Sequence, residues 1–500
     1  MLEYAIVGAG SAGCLLAARL SEDAGTDVLL LEAGGPDAAR EIHIPAAFSK
    51  LFKSDVDWNY ETTPQPNLAG RSIYWPRGKT LGGSSSMNAM MAIPGSHLDY
   101  LEWPWSWSEV APVYEQVREQ LALEELRDPN PLTLAFVEAA QQAGIARSPG
   151  LELLELDGVR MTPLTQRRGR RHSAADAYLR PALKRSNLTV RTNAHVTRIV
   201  VEHGRAIGVE VDGELVRARE VLLCGGTVNS PQLLLLSGIG PRDELERHGI
   251  EPVHELDGVG AHLEDHLAGG VLFESLRPVT LYAAEKPLQI VRYLATRKGM
   301  LTSNVAEAAA FVRSRPDAAA PDLELLFAPV LFEEEGLVPP RGHGFTIGAI
   351  LLQPRSRGTI RLRSADPMAP PEIDPCYLSH DEDLQVIAHG IELARKVTSM
   401  PAFEGIVGAE LEPGDAPLDE WIRSRAHTLY HPVGTCRMGT VVDAELRVRG
   451  LDGLRVVDAS VIPRVPRGHT HLPTLMVAER AAAFLRGGAR RDVQLVDAPV

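Results

Sequence analysis

The most constraining feature of the chain is a six-residue turn near its start. Gly8-Ala9-Gly10-Ser11-Ala12-Gly13 follows a short apolar run at 4–7 and leads into a stretch of helical apolar periodicity at 14–20. A second apolar run, 28–31, ends at Glu32, 19 residues after Gly13. Strand, glycine turn, helix, strand and acid stand in the order that a dinucleotide-binding βαβ unit requires. The first glycine permits the turn, the second lets the backbone approach a pyrophosphate, and the third lets helix and strand pack closely. The start of the helix offers unpaired N–H groups and partial positive charge to phosphates. Glu32 can accept hydrogen bonds from both hydroxyls of a ribose, and its charge would repel a 2′-phosphate. The turn alone does not separate FAD from NAD. A parallel sheet covered on both faces is expected around it.

A chain of 500 residues suggests more than one folding unit. Strands are expected across 188–201, 206–211 and 221–223, with a helix opening at Pro231 and stopping at Gly238. The middle differs. The apolar run 345–353 followed by the alternating Thr359-Ile360-Arg361-Leu362-Arg363 suggests an antiparallel sheet with one wet face. Residues 454–486 return to strand, loop and helix. The expected fold class is therefore α/β plus α+β. A discontinuous Rossmann-type domain spans 1–150, 181–262 and 428–490. An inserted antiparallel-sheet domain spans 151–180 and 263–427.

The net charge of −14 argues against a nucleic-acid partner. The nearest approach to a basic block, Arg167-Arg168-Gly169-Arg170-Arg171, reads as a solvated loop. Cysteines 14, 224, 376 and 436 form no CxxC pair, so neither zinc nor a disulfide framework is suggested. His262 and His266 have a spacing open to a metal pair, but no metal site is expected. No basic leader precedes the first apolar run, and no run approaches membrane-span length, so a soluble, cytoplasmic protein is the expectation.

Residues 74–88, YWPRGKTLGGSSSMN, resemble the first signature of the glucose–methanol–choline (GMC) oxidoreductases, and 225–241, GGTVNSPQLLLLSGIGP, the second. Residues 430–439, YHPVGTCRMG, and the stretch from Val457-Asp458-Ala459-Ser460 onward are similar to the family's C-terminal half. The resemblance runs from residue 4 to about residue 485. It implies FAD in the dinucleotide site, and it implies that the inserted domain is substrate-binding, with an antiparallel sheet that roofs the flavin. Cofactor contacts would come from Gly8, Gly10, Ser11, Ala12, Gly13, Glu32 and Ala33. Gly82, Gly83 and Ser84 would bring backbone close to phosphate and flavin. Asn88 and Ala89 match positions near flavin N5, Val196 one whose backbone meets the adenine, and Asp458 and Ala459 a pyrophosphate and ribityl contact. Some members attach FAD through a histidine where this chain has Met87, which implies dissociable FAD.

The resemblance also assigns the chemistry. His431 matches the family's histidine at the reactive edge of the flavin, and His471 a position held by histidine or asparagine. His469, two residues earlier and pointing the same way in extended chain, competes for that second role. An alcohol carbon gives up hydride only as its hydroxyl proton leaves, and a neutral imidazole with pKa near 6.5 suits that abstraction. His431 is read as the base and His471 as hydrogen-bond partner of the alkoxide. A helix beginning at Pro473, with Thr474, would stabilise negative charge on the reduced flavin. The Asp265-His266 pair resembles a structural turn near the flavin lid, and Glu307 is placed either toward substrate or in the core.

Two departures from the family pattern bear on access. Pro94 stands where relatives often carry arginine, and the segment 103–130 is short for a lid. The expected activity is oxidation of a small-molecule alcohol, with O2 or a quinone-like carrier as acceptor. A redox-silent hydroxynitrile lyase, a photodecarboxylase and a flavin-binding protein without turnover are the alternatives on the same fold.

Overall fold

The computed structural model describes residues 2–148 and 156–487. The break between 150 and 151 and the end of the range 428–490 lie outside the described residues. Leu2–Val7 is buried between two parallel neighbours, Val28–Leu31 and Glu214–Leu223. Leu188–Arg191 extends the sheet beyond Val28–Leu31, and Leu454–Val456 closes it beside Glu214–Leu223, both in parallel. Val28–Leu31 is buried at all four positions, the near-continuous apolar run expected of a strand covered on both faces. Glu214–Leu223 is long enough to serve two partners. Its second half joins the parallel core, and its first half turns into an antiparallel meander with Arg205–Val211 and Val196–Glu202.

A second sheet is antiparallel, in the order Val407–Glu412, Leu267–Ser275, Gly344–Leu351, Leu323–Ala328, Ala308–Val312, Gly158–Met161. Alternation gives it two different faces. Val271, Phe273, Leu323, Leu325, Phe327, Phe345, Ile347 and Ala349 pack beneath the helix Asp381–Thr398 in one apolar core. Gly390 of that helix lies so close that a Cβ would stand 2.6 Å from Ala349 Cβ. The opposite face carries Ala268, Gly270, Leu272, Glu324, Leu326, Thr346 and Gly348. It looks toward the first sheet, and its small residues leave room between the two.

Several expectations need correction. The predicted wet face is absent from Gly344–Leu351, which is buried at seven of its eight positions, and Thr359–Arg361 leaves that sheet for its own hairpin with Glu372–Asp374. The helix expected at Pro231 begins at Gly226, with Pro231 inside it. The last helix begins at His471, so Pro473 is its third residue. Pro131–Gln142 was grouped by sequence with the dinucleotide unit, but Leu132, Phe136, Ala139 and Ala140 pack in the core of the second sheet. Arg171 is no solvated loop residue. It is buried and donates to the carbonyls of Ile42 at 2.7 Å and Ser85 at 3.1 Å. A strand-edge arginine can turn inward when two backbone oxygens and the Asn88 amide oxygen meet its Nε and Nη1 donors, which composition alone does not reveal.

Candidate active site

A cavity of about 920 Å³ lies between the two sheets. Gly8, Gly10, Ser11, Ala12, Glu32, Ala33, Gly83, Ser84, Asn88, Ala89, Val196, Asp458, Ala459, His431, His471 and Thr474 all line it. Gly13, Gly82 and Pro473 do not, because each acts one layer behind the wall. A Cβ on Gly13 would fall 1.9 Å from Gly8 O, so this glycine exists for packing the helix Ser11–Leu20 on the turn. Gly82, at φ +87, sets the loop that presents Gly83. Pro473 is buried inside the first turn of its helix.

The glycine turn has the shape of a cradle. Gly8 takes φ +101, and a Cβ there would stand 2.5 Å from Cys224 O. Gly83 faces Gly10 across the cavity wall, where a Cβ would stand 2.7 Å from Gly10 Cα. Two loops thus meet glycine to glycine, with room for phosphate beside them and none for side chains. Glu32 accepts from Ala9 N and Gly34 N, each at 2.8 Å, and keeps lone pairs for ribose hydroxyls. Burial pushes its carboxyl up to about 7, against those two bonds. Near Val196 the wall includes Trp58, stacked on Tyr60 at 5.7 Å and carrying Lys79 Nζ 4.6 Å over its ring. Asp458 is committed to the protein itself, accepting from Ser230 Oγ at 2.6 Å, Ser460 N at 2.8 Å and Gly226 N at 2.9 Å. Asn88 is held by Arg171, whose Nη1 donates to its Oδ1 at 2.7 Å.

The histidine wall is built by distant segments. Asp265 accepts from Thr428 Oγ1 at 2.6 Å, from His431 N at 2.7 Å and from Tyr377, and so fixes the loop carrying His431. Thr227 Oγ1 donates to Pro432 O at 2.7 Å, pinning the other side of that loop. Burial pushes the Asp265 carboxyl up to about 6, against the bonds from Thr428 and Tyr377.

The hydrogen bonds of His266 determine which nitrogen of His431 is free. His266 Nε2 lies 3.1 Å from Leu352 O, which can only accept, so Nε2 carries the proton. Burial, with His469 nearby, pushes the His266 pKa down to about 3, so the ring is neutral and its Nδ1 is an acceptor. His431 Nδ1, 3.0 Å away, must therefore donate to it. The consequence is a neutral His431 with its lone pair on Nε2. Burial, the largest cause, with the Arg77 cation nearby, holds its pKa well below the usual 6.5.

His471 and His469 go to different partners. His471 Nδ1 pairs with Ser11 Oγ at 3.1 Å, and its buried Nε2 has no protein partner. Burial, then Arg171, pushes its pKa down to about 4. His469 packs against His431 with ring centroids 4.7 Å apart, while its Nε2 lies 3.4 Å from both oxygens of the fully buried Glu324. Glu307 is a core residue, accepting from Ser303 Oγ at 2.6 Å, Thr133 Oγ1 at 2.7 Å and Asn130 N at 2.8 Å. Sequence reasoning missed Glu324, Trp58 and the part played by His266. For Glu324 the available signal was an acid on the cavity-facing register of an otherwise apolar strand. Among the described residues, no group of three or more His, Cys, Asp or Glu side chains is arranged to hold a metal ion.

A glycine-lined dinucleotide cradle facing an antiparallel sheet, with histidines between them, defines an oxidoreductase of the two-domain flavin type. The comparisons with known proteins make the assignment specific. Residues 2–268 and 354–478 match the two family models described as GMC oxidoreductase. A GMC-type oxidoreductase of Mycobacterium tuberculosis is 47% identical, covering 97% of this chain and 99% of its own length. An alcohol dehydrogenase (acceptor) of Pseudomonas putida is 41% identical over 97% of this chain and 96% of its own. Among solved structures, pyridoxine 4-oxidase from Mesorbium loti superposes with TM-score 0.89 at 32% identity, covering 98% of this chain and all of that one. The chain belongs to the GMC oxidoreductases, a family of FAD-dependent enzymes.

Proposed function

We propose that the protein oxidises a primary alcohol to the aldehyde with FAD held non-covalently in the cavity. The observation that carries this is His431: a neutral imidazole on the cavity wall whose lone pair is directed to Nε2 by the fixed tautomer of His266. The Gly8/Gly10/Gly83 cradle and Glu32 would hold FAD, which when bound supplies the hydride acceptor. His431 Nε2 takes the hydroxyl proton. If Ser11 Oγ donates to His471 Nδ1, His471 Nε2 carries a hydrogen and can donate to the alkoxide, which suits its lack of a protein partner. Met87 at the covalent position supports dissociable FAD. Phe48, Phe52 and Phe332 on the same cavity favour an apolar alcohol. The relative named an alcohol dehydrogenase (acceptor) supports both the reaction and an acceptor such as a quinone-like carrier, with O2 the other candidate.

The experiment is anaerobic. Aromatic and aliphatic primary alcohols should bleach the flavin, choline should do so more slowly, and the FAD should stay in solution when the polypeptide is precipitated. Turnover of a cyanohydrin without bleaching would overturn the oxidation reading in favour of a lyase. Colour that stays with the precipitate would overturn the non-covalent one.

A further inference from the structure

One exposed face has a chemistry that the reaction does not use. In the helix Pro287–Thr296 only Tyr293 is buried. Leu288, Val291 and Leu294, three residues apart along one stripe, are 75%, 62% and 63% exposed, and Ile290 stands out beside them. Exposed large apolar residues on a soluble surface are normally scattered singly.

The flank of this stripe is basic. Lys286, Arg292, Arg297 and Lys298 border it. The arginine hairpin singled out in the sequence abuts its far end: Tyr293 Oη donates to Gly169 O at 3.2 Å, and a Cβ on Gly169 would stand 2.5 Å from Arg297 O. Arg167, Arg168 and Arg170 are exposed there, beside a hollow that also includes His43 and His172. Lys50 joins through Glu285 at 2.6 Å. The acids that meet the face are few. They are Glu285, Asp128 on Arg292 at 2.7 Å, Glu124 on Arg168 N at 3.1 Å, and Asp176, which lines the hollow and pairs with Arg180 at 2.7 Å. A basic surface on a chain of net charge −14 is a local arrangement.

We propose that this face seats the protein on an anionic phospholipid surface, with Leu288, Val291 and Leu294 entering the interface and Arg167, Arg168 and Arg170 against headgroup phosphates. The apolar stripe alone would suit any apolar partner, and the basic flank selects an anionic one. The helix presents its side chains outward as a ridge, the form that lies in an interfacial plane. Among the described residues no helix is long and apolar enough to cross a membrane, so the contact is peripheral. The inference is independent of the reaction proposed above.

The test is flotation of the full-length, FAD-loaded protein with phosphatidylcholine vesicles, with and without phosphatidylglycerol. Binding should require the anionic lipid and weaken as salt rises from about 0.05 to about 0.5 M. Arg167→Gln/Arg168→Gln/Arg170→Gln should lower partitioning by about 100-fold, and Leu288→Gln/Val291→Gln/Leu294→Gln by at least about tenfold. FAD content and melting temperature of both variants should match the parent. No binding to anionic vesicles would overturn the proposal, as would binding that both variants retain. Self-association without vesicle binding, abolished by the leucine–valine variant, would make a second copy of the chain the occupant and also overturn it.

Discussion

Replacing His266 tests whether the tautomer of His431 matters. In the parent, His431 Nδ1–H is satisfied by His266 Nδ1 at 3.0 Å, which leaves Nε2 bare. His266→Phe keeps a ring of similar bulk and removes the acceptor. A donor left unpaired in a buried site costs about 1–3 kcal/mol. His431 can escape that penalty by moving its proton to Nε2, and the base is then lost. The productive tautomer should fall in population by the same free energy, roughly 5- to 150-fold. His266→Gln offers an amide oxygen in a comparable place and should recover part of the loss. The assay is anaerobic stopped-flow reduction of the flavin by a saturating alcohol, with FAD content and melting measured for each variant. A second readout separates positioning from simple damage. The neutral His266 accepts from His431 Nδ1–H more strongly when His431 is protonated, so removing that acceptor should move the acid limb of kcat/KM to lower pH. Reduction of His266→Phe at the parental rate, with an unmoved acid limb, would refute the tautomer argument.

Other outcomes follow from the same geometry. His431→Ala should retain FAD while flavin reduction falls by about 10²–10⁴-fold, and parental reduction in that variant would dismiss His431 as the base. His471→Asn should reduce faster than His471→Ala, because an amide keeps a hydrogen-bond donor at this position that alanine lacks; equal rates in stopped flow would remove His471 from the reaction. Gly83→Ala should purify with little FAD, since its Cβ would meet a backbone atom 2.7 Å away, and a normal flavin spectrum would show that the two glycine loops do not need their close approach. In the parent, kcat/KM should stay level as pH falls past the ordinary histidine value of about 6.5 and decline only where His431 takes up a proton, since its depressed pKa keeps the base neutral to lower pH. An acid limb at or above about pH 6.5 would contradict the burial that causes the shift.

Local motifs told most of the story for one half of the cavity. The turn Gly8 to Gly13, Glu32 and the strand pattern around them are read from a few dozen consecutive residues, because a βαβ unit encodes its own geometry. The second sheet was legible as a class but not in detail. Gly344–Leu351 and Thr359–Arg361 are neighbours in sequence and share an apolar core, yet they belong to different sheets, and nothing in their alternation says so. The histidine wall was half legible. His431 stands in a motif, whereas its pairing with His266 spans 165 residues and that of His469 with Glu324 spans 145. Such contacts depend on which face of a strand looks inward, and one residue of register would reverse it. Arg171 was misread for a related reason, since its burial depends on carbonyls at Ile42 and Ser85.

The packing of the first helix on the last carries a consequence for how the protein comes into being. Arg19 on Ser11–Leu20 pairs with Glu479 on His471–Leu485 at 2.7 Å across 460 residues, and the two helices bury apolar faces against each other. The dinucleotide unit is therefore made with one flank uncovered until residues 471–485 have been added. Leu454–Val456, the strand that closes the parallel sheet, arrives at almost the same moment. A nascent chain halted before residue 454 has its glycine turn but not the wall behind it. The cavity wall is complete only once residues 458–474 have been added, and during the interval an apolar helix face waits for its partner, a surface that a chaperone would recognise and a protease would find.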